Sequence, residues 1–138
     1  MKTKLDIKAI QTLNLFEKIN KIKAVHCFSY NNAIIFTVKP FDIKRIRIPQ
    51  LKFLSKQLGS RIRVMISPKE KSLKELCRFL NFLAPAAYKK ISLDGQELLL
   101  VIPSTRAKAI FMGREKIKLK QLTNLLERFF GIKKVCVR

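Results

Sequence analysis

The spacing of hydrophobic positions changes several times along the first half of the chain. Apolar residues recur at helical spacing from about residue 7 to residue 22, which predicts one amphipathic helix. Two short apolar segments, 25–30 and 33–38, then predict two strands. Between them stands Asn31-Asn32, a dipeptide that tolerates the positive φ of a tight turn. We therefore expect the two strands to form a β-hairpin.

The rest of this half predicts one further helix and one further strand. Residues 41–48 show no clean periodicity. A helix is expected from Pro49, a residue suited to a first helical turn, to Leu58, and Gly59 should end it. Residues 61–66 alternate basic and apolar side chains, which is typical of a strand with one buried face.

The second half repeats this order of elements. A stripe of leucines predicts a helix, and Asp94-Gly95 predicts a hairpin between the two strands that follow. Ser104 is suited to capping a short helix that ends before a break at residues 111–114. A second leucine stripe then predicts a long helix that stops at Gly131, and a final strand closes the chain.

Each half therefore contains a helix, two strands, a short helix or loop, a helix and a strand. A duplicated unit of this size is typical of a small folding module used in tandem. The order predicts an α+β fold, in which each half is a three-stranded sheet with helices packed on one face. Ser67-Pro68 is the best boundary, so we expect two domains, 1–68 and 69–138.

The charge of the chain points to a polyanionic partner. It has 30 Lys and Arg residues against nine Asp and Glu, a formal net charge of +21. Such a surface concentrates polyanions, and nucleic acid is the expected one. An anionic membrane surface is a competing partner. General lysine enrichment of all surfaces is the remaining explanation, but it is usually balanced by glutamate, which is scarce here.

Apolar segments and cysteines bear on the compartment of the protein and on its association with membranes. No segment resembles a signal peptide, and no apolar run approaches the ~18 residues of a spanning helix. Cys27, Cys77 and Cys136 are far apart, odd in number and set among apolar neighbours, as reduced thiols are. We expect a cytoplasmic, monomeric protein that does not enter the membrane.

Patterns for catalysis or metal binding are weak. His26-Cys27 has no second pair at the spacing of a zinc site, and adjacent strand residues face opposite sides of a sheet. The chain has one His and lacks a convincing carboxylate pair, a nucleophile system or a glycine loop for phosphate. We expect no enzymatic activity, no metal and no cofactor.

The order of elements, with a loop between two adjacent helices, resembles the type II KH module. Several short segments also resemble the archaeal NusA-like proteins, which are tandem KH proteins associated with transcription elongation and termination. These segments are Leu15-Phe16-Glu17, Ala24-Val25-His26-Cys27, Ile34-Ile35-Phe36-Thr37-Val38-Lys39-Pro40, Leu58-Gly59, Pro85-Ala86 and Ala107-Lys108-Ala109-Ile110. The resemblance covers about residues 13–137. It implies an RNA-binding protein that acts on nascent RNA and RNA polymerase.

The chain departs from the KH pattern at the loop between the helices. KH modules clamp about four nucleotides of backbone with a Gly-x-x-Gly loop. Glycine is needed because a Cβ obstructs the approach of phosphate to backbone N–H groups. Placed after Ile110, the motif of the second half falls on residues 111–114, where Gly113 is the sole glycine. In the first half, residues 43–48 contain no glycine.

Two interpretations compete: basic side chains make the phosphate contacts that the backbone makes in other KH modules, or one or both modules are scaffolds and the charges only solvate an exposed helix end. Cations near a helix N-terminus oppose the helix dipole, so a cluster there favours a bound anion. Asp42 is expected to reduce the local charge. The residues expected at the second loop are Arg106, Lys108, Met112, Gly113, Arg114, Lys116, Lys118 and Lys120. Those expected at the first loop are Lys44, Arg45, Arg47 and Lys52, with Arg61 and Arg63 extending the surface.

Four apolar residues admit more than one role. Phe28 and Tyr30 share a strand face and would stack on bases if exposed, although core packing is the commoner role of such residues. Phe111 and Met112 are expected in an exposed loop, where they would contact a base, a protein partner or the other half of the chain.

Two alternatives to a transcription factor remain open. One is a protein-interaction scaffold that docks on RNA polymerase or a ribosomal particle through the altered loops. The other is a ribosome-associated RNA-binding protein, since the KH fold and high positive charge also occur there.

Overall fold

A computed structural model describes the backbone of residues 3–138 and the side chains of residues 9–138. The elements are α1 (Thr3–Asn20), β1 (His26–Tyr30), β2 (Ala33–Val38), α2 (Pro40–Ile43), α3 (Ile48–Leu58), β3 (Arg61–Ile66), α4 (Leu73–Leu83), β4 (Lys90–Asp94), β5 (Glu97–Val101), α5 (Thr105–Met112), a 3₁₀ turn (Arg114–Lys116), α6 (Ile117–Phe130) and β6 (Lys134–Val137).

The chain divides into two compact units, unit 1 (Met1–Ser67) and unit 2 (Pro68–Arg138). Each contains one three-stranded sheet, with strand orders β1-β2-β3 and β4-β5-β6. In both sheets the first two strands form an antiparallel hairpin and the third is parallel to the middle strand. Parallel neighbours need a crossover connection, and a pair of helices supplies it in each unit. The predicted α+β fold of two tandem KH-like modules is confirmed.

In unit 1 the helices pack on one face of the sheet. Phe16 of α1 and Leu54 of α3 are fully buried against Phe36 of β2. The rings of Phe16 and Phe36 stack with their centroids 4.3 Å apart. The first helix ends at Asn20, two residues before the predicted end, and Ile22 beyond it is buried in the same core.

In unit 2 the leucine stripes predicted on α4 and α6 are buried. Leu76 and Leu80 of α4 and Leu122 and Leu126 of α6 are all inaccessible to solvent. Phe79 of α4 joins the two helices, because its ring packs against the rings of two phenylalanines at the end of α6 at centroid distances of 5.5 and 5.4 Å.

The β1–β2 turn and the ends of α3 and α6 lie where local chemistry predicted them. Asn31 and Asn32 have φ values of 50° and 60°, so they form the β1–β2 turn with left-handed backbone. α3 and α6 both end in the left-handed conformation, at Gly59 and Gly131. A glycine adopts this conformation without a Cβ clash, which is why it commonly terminates helices.

The aperiodic segment after β2 contains a single helical turn, α2, and a short connection to α3. α2 has four residues and α3 has 11, whereas the corresponding α5 and α6 have eight and 14. Each crossover helix of unit 1 is thus about one turn shorter than its counterpart. A helix of one turn is too short to show a hydrophobic period, and none was visible in the sequence.

Candidate nucleic-acid interface

The connection between the two crossover helices of unit 2 has four residues. α5 ends at Met112, and α6 begins at Ile117. Gly113 therefore stands at the first position of the connection and Lys116 at the fourth, where the Gly-x-x-Gly pattern has its two glycines. We call Gly113-Arg114-Glu115-Lys116 the second loop.

This register corrects the one expected from the sequence, which placed Phe111 and Met112 in the loop. Both residues belong to the last turn of α5. Phe111 is only 4% exposed, and its ring packs edge-on against Tyr88 with centroids 5.9 Å apart. Met112 is half-buried, so neither residue is the exposed apolar contact that was predicted. Gly113 ends α5 as Gly59 and Gly131 end other helices, and that parallel was the signal in the sequence.

The backbone of the second loop keeps the conformation that glycine favours. Gly113 has φ 78° and ψ 172°, a region that is essentially restricted to glycine. A Cβ built on Gly113 would also lie 2.8 Å from Cγ of Lys118. Glu115 and Lys116 both have left-handed φ values, 55° and 59°. Lysine thus occupies the fourth position in the backbone conformation of a glycine.

Basic side chains surround the second loop, at different distances from it. Arg114, Lys116 and Lys120 are exposed on the loop and the first turn of α6, and the stem of Lys118 lies over Gly113. Lys108 precedes the loop by about one helical turn. Arg106 lies near the other end of α5, roughly 10 Å along the helix, so it is not part of this cluster. Glu115 adds one exposed carboxylate that sequence reasoning passed over.

α6 begins without a side-chain cap, and its N-cap residue is the cation Lys116. The first N–H groups of a helix need acceptors, and the helix dipole makes this end attractive to anions. In α4 and α5 a serine supplies the acceptor: Ser72 accepts from the N–H of Glu75 and Ser104 from that of Ala107. The end of α6 at the second loop is therefore suited to an exogenous anion such as a phosphate.

The corresponding first loop comprises Lys44, Arg45, Ile46 and Arg47, between α2 and α3. None of these residues has a positive φ, so the absence of glycine costs no backbone strain here. All three cations are exposed. Arg45 forms an ion pair with Asp42 at 3.0 Å, which agrees with the predicted role of Asp42 in reducing the local charge. α3 likewise begins with a cation, Arg47, and without a side-chain cap.

The structure separates Arg61 and Arg63 from the first loop. Ile62 and Val64 of β3 pack into the helix-side core, so their neighbours project from the opposite face of the sheet. Arg61 also follows the C-terminal end of α3, whereas the first loop precedes its N-terminal end, about 16 Å away along the helix. Arg61 and Arg63 therefore do not lie at the first loop, and their contact with RNA stays a prediction. Lys52 is exposed on α3, beyond its first turn.

Arg61 and Arg63 have structural surroundings of their own. Arg61 donates a hydrogen bond of 3.1 Å to the carbonyl of Asn31 in the β1–β2 turn. Arg63 is half-buried, and burial, followed by the neighbouring charge of Arg61, lowers its pKa. Burial raises the pKa of Tyr30. An arginine keeps its charge in proteins nonetheless.

The aromatic residues expected as a possible stacking platform are buried. Phe28 and Tyr30 lie inside the protein, in agreement with the core-packing interpretation. Exposed rings occur instead at Phe41 of α2, which is 79% exposed one turn before Arg45, and at Phe53 of α3. Exposed aromatic rings beside cations are a recurrent feature of single-strand binding surfaces. This exposure was not predictable from the sequence, because α2 is too short to show a hydrophobic period.

A cavity of about 390 Å³ lies in unit 1 beside the first loop. We call it the α1–α3 cavity, because residues from the C-terminal end of α1 and the N-terminal end of α3 line it. Its polar lining consists of Asn20, Lys21, Lys44, Arg45, Arg47 and Gln50. Sequence reasoning missed Asn20, Lys21 and Gln50, since only the packing of α1 against α3 brings them to the loop.

Searches for other kinds of site gave no candidate within the described part of the chain. Residues 9–138 contain no group of three metal-ligating side chains. Within this part of the chain Cys27, Cys77 and Cys136 form no disulfide. No helix among the described residues is long and apolar enough to cross a membrane.

Comparisons with known proteins bear on the fold. No protein-family model matches the chain, and no curated protein matches it. The chain is similar to APE1850, a protein of known crystal structure, with 21% sequence identity and a TM-score of 0.65. The similarity covers 96% of this chain and 99% of that one. The fold of this chain is thus shared with a solved structure.

Proposed function

We propose that this protein is a non-enzymatic, cytoplasmic RNA-binding factor, monomeric in solution. Its two KH-like modules hold single-stranded RNA, and the protein acts on nascent RNA and RNA polymerase during transcription elongation or termination. The transcriptional role rests on the resemblance of its sequence to archaeal NusA-like proteins.

One observation carries the RNA-binding part of this proposal. The second loop joins two helices of a KH-like module, retains glycine-type backbone at Gly113 and Lys116, and opens onto the uncapped start of α6. Anions are stabilised at such a helix start, whereas the cations Arg114, Lys116 and Lys120 are destabilised there unless an anion joins them. An RNA phosphate satisfies the helix and the cations together.

The test is the binding of a labelled single-stranded RNA, titrated across salt concentrations. Each phosphate neutralised on a single strand contributes about 0.7 to the log–log salt slope. Arg114→Ala/Lys116→Ala should therefore weaken binding and reduce the magnitude of the slope by about 1.4. Fluorescence anisotropy at several salt concentrations gives both quantities.

Lys71→Ala/Lys74→Ala provides a matched control, because it removes the same charge from the same unit. Nζ of Lys71 lies near Gly131, at the opposite end of α6 from the second loop. That end is about 20 Å from the loop. If both double variants reduce the magnitude of the salt slope equally, RNA is attracted only by the net charge of the protein. That result would refute the second loop as a binding site.

Docking on a protein is the second candidate function. Its expected centre, Phe111, is buried, but Ile48 and Ile117 are 67% and 50% exposed. Each is the first helical residue after one of the two loops. A protein surface that covers them would be less sensitive to salt than phosphate contacts are.

Copurification separates the candidate partners. A transcription factor should copurify with RNA polymerase, and treatment with ribonuclease should not release it completely. Retention on ribosomal particles in high salt, without polymerase, would favour the ribosome-associated alternative instead.

A further inference from the structure

We propose that the α1–α3 cavity binds one nucleotide unit of the RNA and distinguishes ribose from deoxyribose. In this site Lys21, Lys44 and Arg47 hold the phosphate, and the side-chain amide of Gln50 accepts a hydrogen bond from the ribose 2′-hydroxyl. The inference rests on the proposed RNA-binding function and adds to it a site outside the second loop.

The cavity has the dimensions and walls of a binding site. Its volume of about 390 Å³ falls within the ~300–1,000 Å³ that small-molecule sites occupy. Residues from three parts of unit 1 converge on it: the end of α1, the first loop and the start of α3. Such convergence builds a concave site, whereas a charged stretch of a single helix builds only a flat one.

Three of the four cations that line the cavity form no ion pair within the described part of the protein. Four of its lining residues are cations and none is acidic. Among the described residues, the fourth cation, Arg45, forms an ion pair with Asp42. Lys21 is favourably placed at the C-terminal end of α1 and Lys44 at that of α2, but Arg47 is the N-cap of α3, where the helix dipole repels it. An anion in the cavity removes this repulsion.

Lys21 is held at the cavity by the way in which α1 ends. Its φ is 61°, a left-handed conformation, and its N–H donates to the carbonyl of Glu17 at 2.8 Å. A glycine normally occupies this position after a helix. Lys21 also borders a second cavity, which Glu17 lines as well.

The amide groups indicate that the ligand also donates hydrogen bonds. Oδ1 of Asn20 and Oε1 of Gln50 are buried and have no hydrogen-bond partner within the described structure. Nδ2 of Asn20 donates to the carbonyl of Phe16, which fixes the orientation of that amide. Gln50 is half-buried, and its terminal torsion is soft, so its oxygen can turn into the cavity. An acceptor withdrawn from water is costly unless a donor reaches it.

A ribose hydroxyl beside a phosphate matches both requirements. The cations bind the phosphate, and the amide oxygen of Gln50 accepts the hydrogen bond that the hydroxyl donates. The 2′-hydroxyl is the group by which proteins distinguish RNA from DNA. A free ribonucleotide carries the same chemistry, so the experiment must separate it from a unit within a strand.

The experiment compares two oligonucleotides that differ in one atom per residue, oligouridylate and oligo-2′-deoxyuridylate of equal length. The wild-type protein should bind the ribo-oligomer about tenfold more tightly, the value of one good hydrogen bond. Gln50→Met keeps the length of the side chain and should abolish this preference. Gln57→Met, an exposed site two turns along the same helix, should retain it.

Charge variants test the phosphate part. Lys21→Gln changes an exposed side chain and should weaken binding of both oligomers by the same factor, with a salt slope smaller by about 0.7. Because Lys21→Gln alters no core contact, its result stands even if Gln50→Met unfolds. A ribo preference that survives in folded Gln50→Met, or an unchanged slope in Lys21→Gln, overturns the site.

The failures of the two proposals are distinguishable. If neither oligomer binds, RNA binding itself is refuted and the cavity site with it. If both bind with equal affinity, RNA binding stands and the cavity inference alone is refuted. Uridine 3′-monophosphate should not displace the oligomer when it is added at the oligomer concentration that saturates the protein. If it does displace the oligomer, the ligand is a free nucleotide, and a site for a nucleotide unit of a strand is overturned.

Discussion

At the scale of single residues, the most informative position is Lys116. It occupies the left-handed conformation that a glycine would adopt with less strain, and Glu115 before it does the same. Strained backbone of this kind persists where the surrounding structure enforces it, and it is concentrated at functional sites. Exchanging glycine for lysine at this point adds a charge next to the start of α6 and gives up close backbone approach.

Lys116→Gly should therefore stabilise the protein while it removes a phosphate contact. Relief of the left-handed strain should raise the free energy of unfolding by about 1 kcal/mol. Lys116→Gln removes the same charge but keeps a Cβ, so its unfolding free energy should stay close to that of the wild type. Denaturant unfolding measures both. If Lys116→Gly were no more stable than Lys116→Gln, residue 116 would not be strained in the left-handed conformation.

At the scale of elements, the helices differ in how their first turns are satisfied. Serine side chains cap α4 and α5, whereas α3 and α6 follow the two loops and begin at Arg47 and Lys116 without a side-chain cap. Both long helices that follow the loops thus have starts without a side-chain cap, as does the single turn of α2 at Lys39. At α4 the first turn is also closed by Glu75, which accepts hydrogen bonds from Arg78 at 2.6 Å and from the N–H of Lys69 at 3.3 Å.

The hydrogen bonds that Glu75 accepts at the start of α4 should make the free energy of unfolding depend on pH. The hydrogen bond from Arg78, and then that from Lys69, lower the pKa of Glu75 below its ordinary value of 4.5. A lowered folded-state pKa gives stability that is present above the ordinary pKa and is lost as the pH falls through the folded value. Glu75→Gln should therefore lose less stability than the wild type between about pH 5 and pH 3.

Denaturant midpoints at a series of pH values measure this effect. Glu70→Gln is the control, because Glu70 is an exposed carboxylate in the segment before α4. It should follow the wild-type curve. A Glu75→Gln curve parallel to that of the wild type over the whole range would contradict the contribution of this carboxylate.

At the scale of the whole molecule, two modules with one fold present loops of different chemistry. The second loop retains glycine-type backbone, and the first has ordinary backbone, three cations and a cavity beside it. Both modules thus have the same helical crossover in their sheets, whereas the loop residues that could contact an anion differ. The net charge of +21 favours a polyanion at both.

Both loops should contribute to the affinity for a strand long enough to reach them. Lys44→Gln/Arg47→Gln and Arg114→Gln/Lys116→Gln should each reduce the magnitude of the salt slope by about 1.4, and their combination by about 2.8. The losses should add in log affinity because the two pairs share no partner. Salt titrations of the three variants measure this. A combined variant no weaker than either pair alone would mean that a single module binds.

Much of the fold was predictable because its signals are local. Asn31-Asn32 and Gly95 place the two hairpin turns through φ preferences of one or two residues, and Gly59 and Gly131 end helices for the same reason. The leucine stripes of α4 and α6 predict buried faces, since one helix period is complete within a short segment.

The candidate site was predictable only in part. The loop cations from Lys44 to Arg47 and from Arg114 to Lys120 were found, because charge density is visible in the sequence. The exact position of the second loop was not, because a helix end depends on packing, and the burial of Phe111 against Tyr88 extends α5 by two residues beyond Ile110.

The sequence by itself determined the charge, the order of the elements and the turns, because each depends on a residue and its near neighbours. Only the tertiary structure decided which side chains meet. It placed Arg61 and Arg63 on the face of the sheet away from the first loop, and it brought Asn20 and Gln50 to one cavity from distant helices. Such meetings depend on which faces pack together, and no local pattern of residues records that.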